Sequence, residues 1–380
     1  MRSFGLLVKP SSAECNMRCV YCFYRDRPTD PYRGKKGRRM SDQVLREMIR
    51  QYMSMVDAAS ISWQGGEPLL MGLDFFQAVV RYEMKFGRAG QIVGNSVQTN
   101  AALIDKEWAR FFNRYNFLVG ISLDGPKEIH DRYRKFPSPN RSSFDEVMRA
   151  VRILREYEVE FNVLAVVNDL NVKQPELLYD FFVSEGFQFL QFIPCVERDP
   201  VTGEITPFSV KPEEYADFLC ALFDKWYNNG EPVVSIRLFD AILAIHLKLE
   251  PGLCMLDERC GSYVVVEYNG DVYPCDFFVQ EDMFLGNLLQ TPLHQIVQTE
   301  KFNWFASIKA RDYPECKVCR WNEICRNSCP RFRYVLGGFD RKSYLCEAFR
   351  RFLKYSNKRF RILKEKILTS RRLPVYMAGM

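Results

Sequence analysis

The chain has 380 residues, of which 47% are hydrophobic and 26% are charged, and its formal net charge is +6. These values are typical of an ordinary globular protein with about two domains. No apolar run reaches the ~18 residues of a transmembrane helix, and the polar N-terminus does not resemble a secretory signal. We therefore expect a soluble, cytosolic protein.

Strands and helices are predicted to alternate along the first half of the chain. The first strand, "FGLLVKP", leads into a loop with three cysteines, and residues 42–56 form a helix with Ser41 as its N-cap. Further strands are predicted at 59–68, 91–100, 117–126, 160–168 and 187–194, and further helices at 73–86, 105–113, 144–157 and 175–186. Six such alternations predict a parallel sheet with helical crossovers, and the pattern alone leaves open whether the sheet closes into a barrel.

Polar residues cluster where these predicted strands end. They are Gln64 to Pro68, Gln98, Asn100, Ser122, Asp124, Cys195 and Val196. In parallel α/β folds the carboxyl ends of the strands face the ligand. The cysteine loop also follows a strand, so we expect it at the same edge of the sheet.

Cysteine usage indicates metal ligation. The chain has thirteen cysteines but only three histidines, and the cytosol keeps thiols reduced, which argues against disulfides and against imidazole-rich metal sites. In "CNMRCVYC", the residues Cys15, Cys19 and Cys22 can hold one iron–sulfur cluster and leave one iron with an open position, because such clusters normally take four cysteines. A zinc site with a distant fourth ligand, or three core cysteines, is the alternative. Tyr21 before the third cysteine and the later "QGGEP" disfavour it.

The motif "CNMRCVYC" resembles the signature of the radical S-adenosylmethionine (SAM) superfamily, and "GGEP" resembles its methionine-binding strand end. The resemblance implies a partial (β/α)6 barrel of the radical SAM type. It also implies that the open iron chelates SAM, and that reductive cleavage of SAM gives a 5′-deoxyadenosyl radical that abstracts hydrogen from a C–H bond.

A second group of cysteines lies in the C-terminal half. Cys254 and Cys260 precede a hairpin with an Asn-Gly turn, Cys275 follows its second strand, and five more cysteines lie between 316 and 346. Two four-cysteine clusters need eight of the ten remaining cysteines, which leaves Cys195 and Cys220 unassigned. From spacing alone, a pair of zinc sites stays possible, because four sulfur ligands suit zinc as well as iron–sulfur clusters.

This region resembles the SPASM domain, a module with two auxiliary [4Fe–4S] clusters. The resemblance implies one ligand set of Cys254, Cys260, Cys275 and Cys329, and a second set of Cys316, Cys319, Cys325 and Cys346. The interleaving of the two sets comes from the family and not from the spacing. The corresponding domains are a radical SAM partial barrel at 1–235, a SPASM domain at 236–346, and a basic C-terminal helix and tail at 347–380.

That tail explains the positive charge. Residues 350–372 contain ten Lys and Arg against one Glu, so the other residues sum to −3. Apolar side chains recur at helical intervals at Leu345, Phe349, Phe352, Phe360, Leu363 and Ile367. We predict an amphipathic helix with a solvated basic face, and regard phosphate or nucleic-acid binding as the weaker alternative.

The combined motifs are similar to those of the anaerobic sulfatase-maturating enzymes. They include "LLVKP", "CVYCFYR", "QGGEP", "SVQTNAALID", "FLVGISLDGPKEIHD", "FLQFIPC", "SIRLFD" and "VYPCDFFV", and extend from Leu6 to Cys346. Such enzymes oxidise a Cys or Ser of a sulfatase polypeptide to Cα-formylglycine. The resemblance implies removal of a Cβ hydrogen, loss of the thiol or hydroxyl proton, and loss of one more electron, which gives the aldehyde directly from Ser and a thioaldehyde, later hydrolysed, from Cys.

The resemblance also assigns roles to single residues. Asp276 is implied as the general base that takes the heteroatom proton. The SAM site is implied to be lined by Tyr21, Gly66, Ser122, Arg134 and Val196. The peptide is implied to bind to Tyr24, Gln64, Gln98, Asn100 and Arg237.

Three of these roles have structural alternatives. Asp276 is alternatively a solvated turn aspartate after the hairpin. Arg134 is alternatively a surface charge in the polar run "HDRYRK", although guanidinium groups pair well with carboxylates such as that of SAM. Arg237 is alternatively one half of a buried ion pair with Asp240 or another acid.

The implied partners are an unfolded sulfatase segment with a C/S-x-P/A-x-R motif and an electron donor such as ferredoxin or flavodoxin. One rival is a SPASM enzyme that crosslinks a ribosomal peptide. Such enzymes usually carry a leader-binding domain, for which we expect no room before Phe4. A non-enzymatic iron–sulfur electron carrier and a nucleic-acid-modifying radical enzyme are more distant alternatives.

Overall fold

The computed structural model describes residues 4–24, 29–138, 140–310 and 313–370 and shows an α/β chain. Its strands are β1 (Gly5–Lys9), β2 (Ala58–Trp63), β3 (Ile92–Thr99), β4 (Leu118–Ser122), β5 (Phe161–Val167), β6 (Phe189–Pro194), β7 (Ser235–Ile236), β8 (Tyr263–Glu267), β9 (Asp271–Tyr273) and β10 (Gly286–Asn287). Its helices are α1 (Asp42–Met55), α2 (Leu73–Phe86), α3 (Lys106–Arg114), α4 (Lys127–Tyr133), α5 (Ser143–Glu156), α6 (Pro175–Ser184), α7 (Pro212–Tyr227), α8 (Arg237–His246), α9 (Leu293–Ile296), α10 (Glu300–Ile308), α11 (Pro314–Lys317), α12 (Asn322–Cys325), α13 (Arg331–Tyr334) and α14 (Cys346–Ser370).

The predicted alternation of strands and helices is confirmed. The five predicted helices correspond to α1, α2, α3, α5 and α6, with bounds within a few residues of the prediction, whereas α4 and α7 were not predicted. At the start of α1 the Ser41 hydroxyl accepts a hydrogen bond from the Val44 N–H at 3.3 Å, as expected of an N-cap. The predicted hairpin is formed by β8 and β9, which pair Val265 with Tyr273.

The first compact unit contains Met1–Ser122, Tyr133–Phe161 and Gly261–Ala306. Its strands are ordered β10-β9-β8-β1-β2-β3-β4, and β8, β1, β2, β3 and β4 are mutually parallel. β1 therefore pairs with β8, which is more than 250 residues later in the chain, and Lys9 is the register partner of Glu267. Because the five strands are parallel, their carboxyl ends lie along one edge of the sheet.

The second compact unit contains Leu123–Arg132, Asn162–Cys260 and Ser307–Met380. In it β5, β6 and β7 pair in parallel, and α14 packs against α7 and α8. The apolar face predicted for the C-terminal helix is buried at Leu345, Phe349, Phe352, Phe360 and Leu363. The amphipathic helix is thus confirmed as far as Ser370, and Arg371 and Arg372 lie outside the described residues.

The basic face of α14 is partly neutralised by acidic side chains. Arg359 pairs with Asp224 of α7 at 2.5 Å, and Lys366 pairs with Glu231 at 2.9 Å. Arg351 also pairs with a carboxylate of α7, that of Asp217. The prediction of a simply solvated basic face was therefore incomplete, because part of the charge of α14 serves its packing within the unit.

No helix within the described ranges is both long enough and apolar enough to cross a membrane. The domain limits given above from the sequence stay predictions. Each compact unit is assembled from three separate stretches of the chain.

Candidate active site

The glycine turn after β2 lies directly against the loop that leads to the first cysteine. Gly66 N–H donates to the Ser12 carbonyl at 2.7 Å, and Glu67 N–H donates to the Glu14 carbonyl at 2.8 Å. A Cβ atom at Gly66 would lie 1.9 Å from the Glu14 carbonyl oxygen. Only glycine allows this approach, so "GGEP" sets the position of the backbone just before Cys15.

Glu67 continues this connection beneath the turn. Its fully buried carboxylate accepts hydrogen bonds from the Thr99 hydroxyl at 2.8 Å and from the Asn100 N–H at 2.8 Å. Burial raises the pKa of Glu67 to about 7. Asn100 in turn donates to the Asn16 side chain at 2.7 Å, and its Nδ2 lies 3.6 Å from Cys15 Sγ. The end of β3 is thereby tied to the cysteine loop.

Cys15, Cys19 and Cys22 are brought together by this loop. Although part of the Cys15 side chain reaches solvent, desolvation by the surrounding protein, the Glu67 carboxylate and the other two thiols raise the pKa of Cys15 to about 12. Ionisation of the Cys15 thiol beside the two other thiols therefore needs a compensating cation. This chemistry fits a metal cluster, whose binding displaces thiol protons.

The residues predicted to line the SAM site divide between the two units. In the first unit the Arg134 guanidinium lies 5.5 Å from the Tyr21 ring centroid, and both side chains are buried. Ser122 accepts a hydrogen bond from Gln98 at 3.1 Å. In the second unit Val196 is fully buried. Because Arg134 is only 8% exposed, the alternative that it is a surface charge is wrong.

Asp276 begins a short 3-10 turn immediately after Cys275, at the end of the β8–β9 hairpin. It is 5% exposed, so the alternative of a solvated turn aspartate is wrong. Its Oδ2 accepts a hydrogen bond from the Tyr24 hydroxyl at 2.5 Å. Its Oδ1 is buried and has no hydrogen-bond partner among the described residues, and the Lys9 ammonium lies 4.0 Å away.

The remaining residues predicted to bind peptide, Gln64 and Arg237, lie in different units and differ in exposure. Gln64 is half-buried at the end of β2, and its N–H donates to the Val8 carbonyl at 2.8 Å. Arg237 is exposed in the second unit and donates to the Gly252 carbonyl at 2.9 Å. The carboxylate of Asp240 accepts instead from the Ser235 hydroxyl at 2.6 Å. The alternative that Arg237 forms a buried ion pair with Asp240 is therefore wrong.

Cys254, Cys260 and Cys329 form a group within the second unit. Burial and the charge of Cys329 raise the pKa of Cys254 to about 11, and burial, Cys329 and Cys254 raise that of Cys260 to about 12. The backbone explains why Cys329 joins this group and not that of Cys325. Residues 326–328 all have positive φ, of 47°, 64° and 62°, and this rare left-handed run reverses the chain.

A second group in this unit comprises Cys316, Cys319, Cys325 and Cys346. Burial and the charges of the other three thiols raise the pKa of Cys325 to about 12. The remaining predicted ligand, Cys275, belongs to the first unit, where its Sγ lies 3.3 Å from the Tyr263 hydroxyl. No three His, Cys, Asp or Glu side chains in the described ranges have the arrangement that a single metal ion requires.

Lys309 provides a test of whether this region fits a metal–thiolate cluster. Its side chain is fully buried, and its ammonium donates to the carbonyls of Cys254 at 3.0 Å and Met255 at 2.6 Å. Within the described part of the chain it pairs with no carboxylate. Burial lowers its pKa, whereas Cys260, Cys329 and Cys254 favour its charged form. A buried ammonium beside three thiols fits a cluster with net negative charge, which would compensate it.

Comparisons with known proteins agree with this arrangement. The Radical SAM superfamily profile matches residues 10–182, and the profile of the SPASM iron–sulfur cluster-binding domain matches residues 254–330. A cysteine-type anaerobic sulfatase-maturating enzyme of Clostridium perfringens (strain 13 / Type A) is 38% identical, over 94% of this chain and 97% of that protein. The chain belongs to the anaerobic sulfatase-maturating enzyme family. A serine-type anaerobic sulfatase-maturating enzyme of Bacteroides thetaiotaomicron is 34% identical, over 96% of this chain and 92% of its own length.

Solved structures give the same result for this sulfatase-maturating family member. A structure of native anSMEcpe with bound AdoMet and the Cp18Cys peptide has a TM-score of 0.88 and 35% identity, over 96% of this chain and 99% of that one. Streptococcus suis SuiB bound to S-adenosylmethionine has a TM-score of 0.63 and 16% identity, over 90% of this chain and 77% of that one, which shows a shared fold alone. The predicted family, fold class, enzymatic nature, and SAM and iron–sulfur cofactors are confirmed, and the alternative of a non-enzymatic electron carrier is wrong.

Sequence reasoning missed three buried charged residues around these sites. Lys9 and Glu267 each end a strand that is otherwise apolar, "GLLVK" and "YVVVE", and a charge at the end of a buried strand was the signal available. Lys309 is preceded by an ordinary amphipathic stretch and carries no comparable signal. Its importance is visible only from its burial among the cysteines.

Proposed function

We propose that this enzyme oxidises a Cys or Ser side chain of a sulfatase polypeptide to Cα-formylglycine. The observation that carries the proposal is the environment of Asp276. One carboxylate oxygen is held by Tyr24, and the other is buried without a hydrogen bond from any described residue. A carboxylate in this state is suited to accept a proton from a substrate thiol or hydroxyl group.

The cofactors would be held by the three groups of cysteines. Cys15, Cys19 and Cys22 would hold the cluster that binds SAM, with Gly66 and Arg134 beside the SAM molecule. The two auxiliary clusters would be held by the sets Cys254, Cys260, Cys275 and Cys329, and Cys316, Cys319, Cys325 and Cys346. When bound, SAM and its cluster supply the radical that removes a hydrogen atom from the substrate Cβ.

The protein's own contribution is to hold the substrate and to remove a proton from its heteroatom. Asp276 Oδ1 accepts this proton, while the Tyr24 hydroxyl holds Oδ2 in place at 2.5 Å. The Phe23 ring lies 4.1 Å from the Tyr24 ring and 4.9 Å from the Phe277 ring, measured between centroids. These ring contacts support the Tyr24 ring, whose hydroxyl holds the Asp276 carboxylate.

The proposed substrate is an unfolded sulfatase segment with a C/S-x-P/A-x-R motif. Gln64, Gln98 and Asn100 lie at or near the ends of parallel strands in the first unit, where amide side chains can bind a peptide backbone. Tyr24 and Arg237 complete the proposed peptide-binding set. Relatives of similar identity are named as cysteine-type and as serine-type enzymes, so both residue types belong in the test.

We propose ferredoxin or flavodoxin as the electron donor and the cytosol as the location. The chain contains thirteen cysteines, eleven of which are proposed cluster ligands, and thiols are kept reduced in the cytosol. Between Cys316 and Cys346 the chain has seven Lys and Arg against two acidic residues. Lys317 and Arg320 are exposed and make no ion pair with any described residue, so they can attract an acidic carrier. Donor-dependent turnover should then fall with rising salt, and turnover insensitive to salt would contradict this.

The function is tested anaerobically with reconstituted enzyme, SAM, dithionite and synthetic peptides. One peptide carries a C-x-P-x-R motif, one carries S-x-A-x-R, and a third has alanine at the target position. Conversion to formylglycine removes about 18 Da from Cys or about 2 Da from Ser. A peptide product of these masses, formed together with an equal amount of 5′-deoxyadenosine, supports the proposal. Because an internal crosslink also removes about 2 Da, the product must in addition react with a hydrazide, as an aldehyde does. An unchanged peptide, or a product that has lost about 2 Da and does not react with a hydrazide, refutes the proposal.

Asp276→Asn tests the assignment of the base. We expect peptide oxidation to fall by about 100-fold or more, the usual contribution of a general base, while part of the SAM cleavage survives. Asp282→Asn, an exposed aspartate six residues later, is the matched control and should retain full activity. Normal formylglycine formation by Asp276→Asn would show that another group takes the proton.

A further inference from the structure

We infer that Lys9 is a positioning residue for the Tyr24–Asp276 pair, and that Glu267 holds the Lys9 ammonium in the place from which it does so. The inference rests on the proposed function, because it concerns the residue proposed as the base. It adds Lys9 and Glu267, at the ends of two adjacent strands, to the residues proposed to bind and deprotonate the substrate.

The Lys9–Glu267 pair is built into adjacent strands. The two residues are register partners at the ends of β1 and β8, and Lys9 Nζ lies 2.7 Å from Glu267 Oε1. Lys9 is 3% exposed and Glu267 is fully buried. Among the described residues, no hydrogen-bond donor other than Lys9 approaches either Glu267 oxygen. The ammonium is therefore fixed by a buried countercharge and is not a mobile surface group.

The same ammonium contacts both members of the proposed catalytic pair. It lies 4.0 Å from Asp276 Oδ1 and 4.5 Å from the centroid of the Tyr24 ring. The Tyr24 hydroxyl donates to the other oxygen of Asp276. A cation over the ring face and beside the carboxylate attracts both groups, so it restrains the Tyr24 ring and the Asp276 carboxylate together.

The stem of Lys9 is restrained as well. The turn after β2 passes so close that a Cβ atom at Gly65 would lie 3.2 Å from Lys9 Cβ, and Gly65 has φ +110°, a conformation that only glycine adopts readily. The glycine turn of the proposed SAM site thus packs on the residue that contacts the proposed base. Lys9 joins the two sites by direct packing within the first unit.

A purely structural role of the Lys9–Glu267 pair and a positioning role of Lys9 predict different effects of exchanging the two charges. An ion pair that only joins β1 to β8 needs one positive and one negative side chain, on either strand. A positioning role needs the positive charge at residue 9, because that is where it meets Tyr24 and Asp276. Exchanging the two charges therefore separates the two roles.

The experiment compares three double variants with the wild-type enzyme. Lys9→Met/Glu267→Gln removes both charges of the pair, so that neither residue leaves the other as an unpaired buried ion. Lys9→Glu/Glu267→Lys exchanges them. Lys106→Met/Glu156→Gln, at an exposed ion pair of the same unit, is the control. The measurements are formylglycine formed per 5′-deoxyadenosine, the KM and kcat for peptide, peptide affinity, and the guanidinium concentration at half-unfolding.

We expect the charge-removal variant to fold and to bind peptide, but to form about 10- to 100-fold less formylglycine per 5′-deoxyadenosine, with kcat falling more than KM rises. The exchanged variant should regain part of the stability that charge removal costs, because the ion pair is restored while a carboxylate at residue 9 repels Asp276, and it should not regain this ratio. A wild-type ratio in either variant, or rescue by exchange, overturns the inference and leaves the proposed function intact. Failure of either variant to fold shows that the pair is structural and also overturns it. An inactive wild-type enzyme refutes the proposed function and, with it, the inference.

Discussion

Gly66→Ala adds one methyl group where the glycine turn meets the cysteine loop. The new Cβ would lie 1.9 Å from the Glu14 carbonyl oxygen, whereas Cβ atoms essentially never approach another atom within 3.0 Å. The two backbones must therefore separate by about 1.1 Å, the difference between these distances. That movement breaks or stretches the hydrogen bonds from Gly66 to Ser12 and from Glu67 to Glu14.

The cost follows from these contacts. Two hydrogen bonds are worth about 1–3 kcal/mol together, and overpacking a tight contact costs a similar amount, so we expect the free energy of unfolding to fall by about 3 kcal/mol. The shift also moves the backbone before Cys15, so the iron content after reconstitution should fall. Guanidinium unfolding and iron analysis measure the two effects.

Gly94→Ala is the matched control. Gly94 is exposed in β3, and the nearest atom to its added Cβ is the Ala59 carbonyl oxygen at 3.9 Å. We expect this variant to be unchanged or to gain up to about 1 kcal/mol, because alanine loses less backbone entropy than glycine. If Gly66→Ala is as stable and as rich in iron as Gly94→Ala, the close contact does not hold the cysteine loop.

Three further predictions concern buried groups. Burial raises the pKa of Glu83 to about 7, so the folded state favours the protonated carboxyl and loses stability as the pH rises from 4.5 through 7. Relative to Glu83→Gln, the free energy of unfolding of the wild type should fall by up to about 3 kcal/mol between pH 4.5 and 7, measured by unfolding at several pH values. Lys309→Met should make an auxiliary cluster harder to reduce in an EPR-monitored redox titration, because it removes a buried positive charge. The exposed Lys317→Met should leave the reduction potential unchanged, and equal potentials for the two variants would contradict the prediction. Phe360→Ala should cost about 3–5 kcal/mol by calorimetry, because its fully buried ring packs on Phe223, and a loss below about 1 kcal/mol would show that the site collapses.

Six strands and five helices of the first half of the chain could be predicted because each depends on local periodicity, whereas α4 and α7 were missed. The α1 face and its Ser41 cap are examples, since apolar spacing and the capping residue are both present in a short stretch. The pairing of β1 with β8 could not be predicted in this way. Nothing in "GLLVK" specifies a partner more than 250 residues later.

In the candidate site, too, local motifs could be predicted from the sequence, whereas contacts between distant segments could not. The three cysteine ligand sets and the role of Asp276 follow from the family motifs and stay predictions, and the structure adds only that Asp276 is buried and bonded to Tyr24. The separation of Cys329 from Cys325 depends on the left-handed conformation of residues 326–328, which the letters "RNS" do not require. The proximity of Lys9 to Asp276 likewise follows from strand register and not from local sequence.

The pairing of β1 with β8 has a consequence for biosynthesis. A ribosome releases the first strand long before it makes its partner, so during most of translation one side of β1 presents unpaired backbone groups. Contacts between such distant segments form slowly and expose nascent chains to aggregation. A fragment ending near residue 235 would lack β8 and would therefore leave that edge of β1 unpaired.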